Sequence, residues 1–184
     1  ASKGAVKKEQ KEWGIAGDTR YLKSNYQFQQ YFPLTKKYTL GLNAEFGYGK
    51  GLFGREYPIF KNFYGGGLGT VRAFDQNSLG PVDVTGAYIG GNRRMNLNAE
   101  FYVPFPGVGN DRTLRIFGYA DAGNVWREGE SMRDSEANPI RVSAGIGLSW
   151  VSPVGPLKLS WGVPVRYART DRIQRFQFQI GTAF

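Results

Sequence analysis

The side chains that most often perform chemistry are absent from this sequence or scattered along it. There is no histidine and no cysteine among the 184 residues, so a Ser-His-Asp arrangement, a disulfide and a thiolate metal site are all impossible. Serine, aspartate and glutamate are present, but no spacing pairs a recognisable nucleophile with a base. We therefore predict no catalytic residues, no metal site and no cofactor, and we expect that the protein is not an enzyme.

The basic residues are numerous but spread over the chain. Lysine and arginine outnumber aspartate and glutamate by 24 to 15, which gives a formal charge of +9. Lys36 and Lys37 lie at an expected turn, and Arg166, Arg169 and Arg172 lie in or beside a late loop. No helix-turn-helix or zinc-finger pattern accompanies them, so nucleic-acid binding is not predicted. Solvated loops account for the excess of positive charge.

Seven segments alternate apolar and polar residues with a period of two, which is the pattern of strands whose two faces meet different surroundings. They span residues 21–32, 38–48, 95–105, 114–123, 140–150, 157–165 and 176–184. Residues 5–16 would make an eighth strand, but this segment carries charge on both faces. It is a frayed or altered edge strand, a helix or an engineered segment, and the sequence does not decide among these.

The alternation places three polar side chains on the same face of neighbouring strands. Glu100 falls on the polar face of the third alternating segment, and Tyr119 and Asp121 fall on the polar face of the fourth. The opposite faces of these two segments hold leucine, isoleucine, phenylalanine, valine and alanine. We therefore expect the two carboxyl groups and the phenol to line one shared interior.

The lengths of the strands and the distribution of residues favour a membrane barrel over a soluble sandwich. At about 10 residues, each strand is long enough to cross a bilayer when tilted. The polar face holds charged residues, glycine and asparagine, as the wall of a water-filled lumen would. Aromatic residues gather near strand ends, as they do in the girdles at membrane interfaces. They are Tyr31, Phe32, Phe101, Phe105, Trp126, Trp150 and Phe184.

The links between the predicted strands alternate between short and long. The short ones span residues 33–37, 106–112 and 152–156, and the longer ones span residues 49–94, 127–139 and 166–172. Outer-membrane barrels have short turns on the periplasmic side and longer loops outside. The sequence therefore predicts an all-β fold, a transmembrane antiparallel β-barrel of about eight strands with one long extracellular loop at residues 50–94.

The long loop carries the most specific motif of the chain. Three consecutive glycines, Gly65, Gly66 and Gly67, indicate a backbone that turns sharply or packs closely against a neighbour. They are followed by Val71-Arg72-Ala73-Phe74 and by Leu-Gly-Pro at 79–81. Together these residues resemble the sixth extracellular loop of the BamA family of outer-membrane assembly factors. The resemblance continues in the family's order over roughly residues 20–184, through the segments 120–126, 143–147, 152–157 and 176–181.

The resemblance implies that the loop folds back into the barrel lumen, where its arginine meets acidic residues of the inner wall. Carried onto this sequence, it predicts a lock between Arg72 and the wall residues Glu100, Tyr119 and Asp121. An unpaired charge buried in a confined lumen is costly, so the arginine needs such partners. The family usually has glycine where this chain has Ala73. An alanine would be strained there if the backbone requires a positive φ.

The resemblance also implies a function and a location. A full family member has sixteen strands preceded by soluble periplasmic domains, so residues 1–184 are expected to be the C-terminal half of the barrel, with 1–18 as an uncertain edge. The implied function is a non-enzymatic insertase that folds β-barrel proteins into the bacterial outer membrane. The implied partners are outer-membrane lipids and lipopolysaccharide, unfolded outer-membrane proteins and, for the full-length protein, assembly lipoproteins. The alternative is a two-partner secretion transporter, which exports a polypeptide through its lumen.

The last predicted strand would form one side of the seam that this family is thought to open. Its apolar face holds Phe176, Phe178, Ile180 and Phe184, and a terminal aromatic residue is a recognition signal for barrel assembly. Half a barrel has two open edges, which cannot stay exposed in lipid. The chain must either close as eight strands with the long loop displaced, or pair with a second copy as a homodimer. The sequence does not choose between these two arrangements.

Overall fold

The computed structural model describes residues 5–16, 19–107, 113–133, 136–153 and 155–181. Within these ranges the chain forms ten strands and one short 3-10 helix, Ile59–Lys61. The strands are β1 Val6–Ala16, β2 Thr19–Pro33, β3 Thr39–Gly51, β4 Ala73–Phe74, β5 Arg93–Pro104, β6 Leu114–Trp126, β7 Arg141–Ser152, β8 Gly155–Arg166, β9 Ile173–Gln174 and β10 Phe176–Ile180. No helix in the described part of the chain is long and apolar enough to cross a membrane.

Eight of these strands form one antiparallel sheet in the order β1-β2-β3-β5-β6-β7-β8-β10. The two short strands, β4 and β9, pair with each other. Strands β1 and β10 are the edges of the sheet, and no ladder joins them within the described ranges. The expected number of about eight strands is confirmed. The uncertain first segment is strand β1, which pairs with β2 along its whole length.

From β2 onward the long strands of the sheet have an apolar outer face and a polar inner face, because the two residue types alternate along them. Strand β1 is the exception and carries charge on both faces. Large apolar side chains on the outer face are exposed to solvent. They include Phe46, Leu97, Phe101, Ile146, Trp150, Trp161, Val163, Phe176, Phe178 and Ile180. A soluble protein rarely exposes so continuous an apolar surface, whereas a membrane barrel presents it to lipid. The predicted class of fold, an antiparallel β-barrel wall, is confirmed.

Two aromatic residues predicted for the interfacial girdle lie elsewhere. Tyr31 is on the inner face, where its ring occupies the space beside Gly41 on the neighbouring strand. Trp126 is only 1% exposed and lies where the long loop packs against β6, so a Cβ at Gly91 would fall 2.0 Å from the carbonyl oxygen of Trp126. The prediction was wrong for Tyr31 because the alternation of this segment is irregular and did not assign its face, and for Trp126 because alternation does not report which end of a strand a loop covers. The remaining described members of the girdle are exposed, namely Phe32, Phe101, Phe105 and Trp150. Phe184 lies outside the described residues.

The links alternate in length, as predicted. Strands β2 and β3 are joined by the short segment 34–38, and two residues separate β7 from β8. At the other end of the sheet, residues 52–92 and 127–140 form longer loops. In the turn between β7 and β8, the hydroxyl of Ser152 donates a hydrogen bond of 2.6 Å to the carbonyl oxygen of Gly155, which has a φ of +124°. Glycine adopts such a φ without steric cost.

Candidate functional site

The long loop, residues 52–92, folds back against the inner face of the sheet. Isolated bridges between Phe63 and Gly91 and between Gly65 and Leu79 hold its two halves together. The loop is therefore an ordered element with internal pairing. Loops of this length are usually either functional or disordered, and the internal pairing favours a functional loop.

The glycine motif makes the turn that brings the loop onto the wall. Gly66 and Gly67 have φ values of +103° and +94°, and a Cβ at Gly66 would lie 2.5 Å from the carbonyl oxygen of Asp75. Only glycine fits a backbone that is both left-handed and this crowded. Just after the turn, a small buried cluster is formed by Val71, Phe74 and Leu79.

Arg72 is 3% exposed, and its guanidinium binds one carboxylate of the inner face in a two-bond geometry. Its Nε and Nη2 donate to the two oxygens of Asp121, each at 2.7 Å, and its backbone N–H donates to the same carboxylate at 3.0 Å. Its Nη1 donates to Glu100. The planar fork of an arginine matches a carboxylate in this way, and a lysine cannot reproduce it.

Glu100 connects the arginine to a second cation. The Nζ of Lys158 lies 2.8 and 3.1 Å from the two carboxylate oxygens of Glu100 and 3.2 Å from the hydroxyl of Tyr102. The hydroxyl of Tyr102 also donates to Glu100. The network therefore has balanced charge. Its two cations are Arg72 and Lys158, and its two carboxylates are Glu100 and Asp121. Burial of these groups is tolerated because each charge has an opposite partner and further hydrogen bonds.

Aromatic rings of β6 complete the surroundings of the arginine. The guanidinium carbon of Arg72 lies 3.8 Å from the ring centroid of Tyr119 and 5.7 Å from that of Phe117, which are cation–π distances. Tyr119 thus contributes its ring, and its hydroxyl extends over β8, where a Cβ at Gly162 would lie 1.9 Å from the hydroxyl oxygen. The structure brings together the four residues predicted for the lock: Arg72, Glu100, Tyr119 and Asp121.

The electrostatics of the loop keep the arginine charged. Burial by itself would lower the pKa of Arg72. The hydrogen bonds and negative charges of Asp121 and Glu100 outweigh burial and raise that pKa above its usual value. Arg72 is therefore a permanent cation in its site, and its carboxylate partners balance that charge.

Ala73, directly after the lock, has a left-handed backbone. Its φ is +70° and its side chain is fully buried. For a residue with a Cβ this conformation costs roughly 1–2 kcal/mol relative to the right-handed region. The strain expected from alanine at a position that requires a positive φ is thus present.

A second set of contacts ties the long loop to the last loop, residues 167–175. Strand β4 pairs with β9, and the backbone N–H of Asp75 donates to the carbonyl oxygen of Arg172 at 2.9 Å. The last loop is anchored in turn by Asp171, whose carboxylate accepts hydrogen bonds of 2.8 and 2.9 Å from Arg141. Both of these side chains are almost fully buried. The lock therefore lies beneath a covering of paired loops.

At the other side of the long loop, Lys61 contacts the first two strands. Its Nζ donates to Glu12 of β1 at 2.6 Å, and the same carboxylate oxygen accepts a hydrogen bond of 2.6 Å from the hydroxyl of Tyr21. The Nζ of Lys23 donates to the carbonyl oxygen of Lys61 at 2.8 Å. The side chains of Lys61 and Glu12 are 31% and 48% exposed, in contrast to those of the lock.

Sequence reasoning missed three residues of the site, Tyr102, Lys158 and Gln177. All three fall on the polar face in the alternation, so their orientation follows from the pattern, but their partners do not. Lys158 on β8 reaches Glu100 on β5 across two intervening strands, and alternation does not report such contacts. The pair of glycines on the inner face of β7, Gly145 and Gly147, leaves room for Tyr119 and Phe117 of β6 and gives no signal for the missed residues.

The space beside the lock is a cavity of about 450 Å³. Its walls carry amides and charged groups from several strands, among them Gln29, Asn43, Lys158 and Gln179. This lining fits a water-filled lumen. Among the residues that the structure describes, no group of three or more acidic side chains could hold a metal ion.

The residues predicted for the seam lie on the outer face of the last strand. Phe176, Phe178 and Ile180 are 57–66% exposed, and β10 pairs with β8 on one side only within the described ranges. Phe184 lies outside those ranges. The sheet is open and the loop is in place, so the described residues do not form the closed eight-stranded barrel with a displaced loop.

An antiparallel wall with an apolar outer face and a long loop fixed to its inner face defines an outer-membrane barrel with an inserted loop. The Omp85 superfamily domain matches residues 1–184, and the chain belongs to that superfamily. The family resemblance of the loop motif is thereby confirmed. The chain is a part of a bacterial outer-membrane barrel.

Individual relatives agree with this assignment. The chain is 39% identical to the outer membrane protein assembly factor BamA of Neisseria meningitidis serogroup B over 90% of this chain and 24% of the relative. It is 30% identical to BamA of Nitratidesulfovibrio vulgaris over 100% of this chain and 23% of the relative. The crystal structure of BamA from Haemophilus ducreyi lacking POTRA domains 1–3 superposes with a TM-score of 0.86 at 27% identity, over 95% of this chain and 37% of that one. The chain thus spans about a quarter of the length of the Neisseria and Nitratidesulfovibrio relatives.

Proposed function

We propose that residues 1–184 are the C-terminal part of the barrel domain of an insertase that folds β-barrel proteins into the outer membrane. The observation that carries the proposal is the buried lock, in which Arg72 fixes the long loop to Asp121 and Glu100. Such a lock holds the loop against the inner face of the sheet in a single conformation. The similarity to assembly factors named BamA supports the same activity.

The proposed mechanism is non-enzymatic and uses the open edge of β10. An unpaired strand edge presents a row of backbone donors and acceptors, which is a template for an incoming strand. Phe176, Phe178 and Ile180 keep the outer face of this edge apolar, so a strand added there would remain in contact with lipid. The substrates would be unfolded outer-membrane proteins, and the protein in its complete form would act with assembly lipoproteins.

Lipids and lipopolysaccharide are the proposed surroundings of the outer face and the loop tips. The exposed aromatic and aliphatic belt suits acyl chains, and the basic loops suit the phosphate groups of lipopolysaccharide. A homodimer through the open edges of β1 and β10 is a further proposal for the chain by itself. It satisfies the backbone groups at both edges without moving the loop from the lumen.

A two-partner secretion transporter was the alternative function. The relatives compared above are assembly factors, and this similarity favours insertion over export. The long loop does not discriminate between the two functions, because the transporter class shares its motif. No feature of the described residues specifically favours the transporter.

Reconstitution tests the proposal. The complete protein that carries this chain is placed in lipid vesicles, an unfolded β-barrel protein is added, and its folding is followed by heat-modifiable migration. We expect wild type to accelerate folding and Arg72→Ala to lose most of this effect. Arg127→Ala removes an exposed arginine from a loop and is the matched control. A folded wild-type protein that gives no acceleration, or that passes the substrate into the vesicle interior, would overturn the proposal.

A further inference from the structure

Gln177 makes an unusual contact between the last strand and the long loop. It lies on the inner face of β10 and is 4% exposed. Its Nε2 donates to the carbonyl oxygen of Phe74 at 2.7 Å, and its Oε1 accepts from the backbone N–H of Ala73 at 3.4 Å. The side-chain amide thus satisfies one donor and one acceptor of the loop backbone, as a neighbouring strand would.

This contact falls at the strained residue of the loop. Ala73 has a φ of +70° and is fully buried, so its conformation persists only because its surroundings hold it. On one side Arg72 is bound to Asp121. On the other side, β9 pairs with β4 just before β10 begins, and Gln177 holds the backbone of Ala73 and Phe74.

The strand that supplies this amide is itself weakly held. Strand β10 has one neighbour, β8, and an open edge within the described part of the sheet. A strand at an edge moves more easily than one with two neighbours, because fewer backbone hydrogen bonds must break. Movement of β10 away from the inner face would take the amide of Gln177 with it.

We propose that Gln177 is a positioning residue that couples the place of the last strand to the lock of the long loop. When β10 is in place, Gln177 holds Ala73 in its left-handed conformation and keeps Arg72 in register with Asp121. When β10 moves, the loop loses this support. Linkage makes the coupling reciprocal, so release of the lock also loosens β10. The coupling is a property of the fold, and only its use during insertion rests on the proposed function.

Hydrogen exchange in the complete protein, read by mass spectrometry, tests the coupling. Gln177→Leu removes both hydrogen bonds while keeping a similar volume. We expect the backbone amides of residues 69–76 to exchange about tenfold faster, the effect of losing roughly one buried hydrogen bond. Gln179→Leu is the matched control, because Gln179 lies two residues along on the same face, lines the cavity, and forms no side-chain hydrogen bond with the loop in the described structure. Gln177→Glu also removes the donor and places a carboxylate against the carbonyl oxygen of Phe74, so we expect an increase at least as large as that of Gln177→Leu.

Two further variants separate coupling from general damage. Ala73→Gly relieves the strain, so we expect it to restore a large part of the protection of residues 69–76 when combined with Gln177→Leu. Asp121→Asn breaks the lock at a distance from β10, and reciprocity predicts faster exchange in residues 176–181 with unchanged exchange in β2 and β3. Equal effects of the Gln177 and Gln179 variants on the loop would overturn the proposal. So would an Asp121→Asn protein whose β10 exchanges like wild type.

Discussion

The long loop is held to the wall at two places by ion pairs of similar length but different surroundings. At the lock, the Nε of Arg72 lies 2.7 Å from a carboxylate oxygen of Asp121, and the two side chains are 4% and 0% exposed. Near strand β1, the Nζ of Lys61 lies 2.6 Å from a carboxylate oxygen of Glu12, and these side chains are 31% and 48% exposed. The distances alone would make the two contacts equivalent. Burial is what separates them, because a charge left unpaired in the interior cannot be solvated by water.

The buried contact is the one that fixes the loop. An exposed pair gains little because water and salt screen it and because two flexible side chains must be ordered. A buried pair contributes little when it replaces well-packed apolar groups, but breaking it is expensive. The lock is therefore expected to act as an all-or-none restraint on the loop. The contact of Lys61 with Glu12 is expected to contribute little to the position of the loop.

Removal of the buried carboxylate should have the largest effect. Asp121→Ala leaves the guanidinium of Arg72 buried beside only Glu100, and we expect a loss of about 3–5 kcal/mol in the free energy of unfolding. Urea titration of the protein in lipid vesicles measures this loss. Ser160→Ala, a small change at another buried inner-face residue, is the control. A loss below about 1 kcal/mol for Asp121→Ala would mean that the lock is no stronger than a surface pair.

Exchange of the arginine for a lysine should have an intermediate effect. Arg72→Lys keeps the positive charge but cannot bind both oxygens of Asp121 and reach Glu100 at once, so we expect a loss of about 1–3 kcal/mol. The same urea titration gives the value. If the lysine variant matched wild type, charge alone would account for the lock and the two-bond geometry would be irrelevant.

Relief of strain beside the lock should have a smaller effect of the opposite sign. Ala73→Gly removes the roughly 1–2 kcal/mol cost of a left-handed alanine, and the added freedom of glycine in the unfolded chain offsets about half of that. We expect a net gain of about 0.5–1 kcal/mol in the free energy of unfolding. Ala122→Gly, in the interior of strand β6, should instead destabilise the protein. Destabilisation by both changes would refute the strain at Ala73.

The exposed contact should give the smallest effect. We expect Glu12→Gln to leave the urea midpoint unchanged within error at 0.15 M salt. The hydrogen bond that Lys61 donates to Glu12 raises the pKa of Lys61. A raised pKa in the folded state means that any contribution is present at neutral pH and disappears as the pH rises through that pKa. A midpoint shift for Glu12→Gln as large as that for Asp121→Ala would remove the distinction between the two contacts.

Much of the wall could be predicted from the sequence because alternation reports a local property. Each strand separates lipid from lumen along its whole length, so Glu100, Tyr119 and Asp121 could be assigned to the inner face without further information. Alternation carries no signal for what covers a strand end, which is why Trp126 was misplaced. It is also silent on contacts across the lumen. Lys158 and Gln177 find their partners through the curvature of the wall and the path of the loop, and these depend on the whole chain.

Arg72 and Asp121 are expected to act as one unit in holding the loop. A double-mutant cycle with Arg72→Met and Asp121→Asn, read from the hydrogen exchange of residues 69–76, tests it most directly. We expect a coupling energy of about 2 kcal/mol, so the double variant should open no more easily than the more damaging single variant. Effects that add to within about 0.5 kcal/mol would show two independent residues and would contradict the lock.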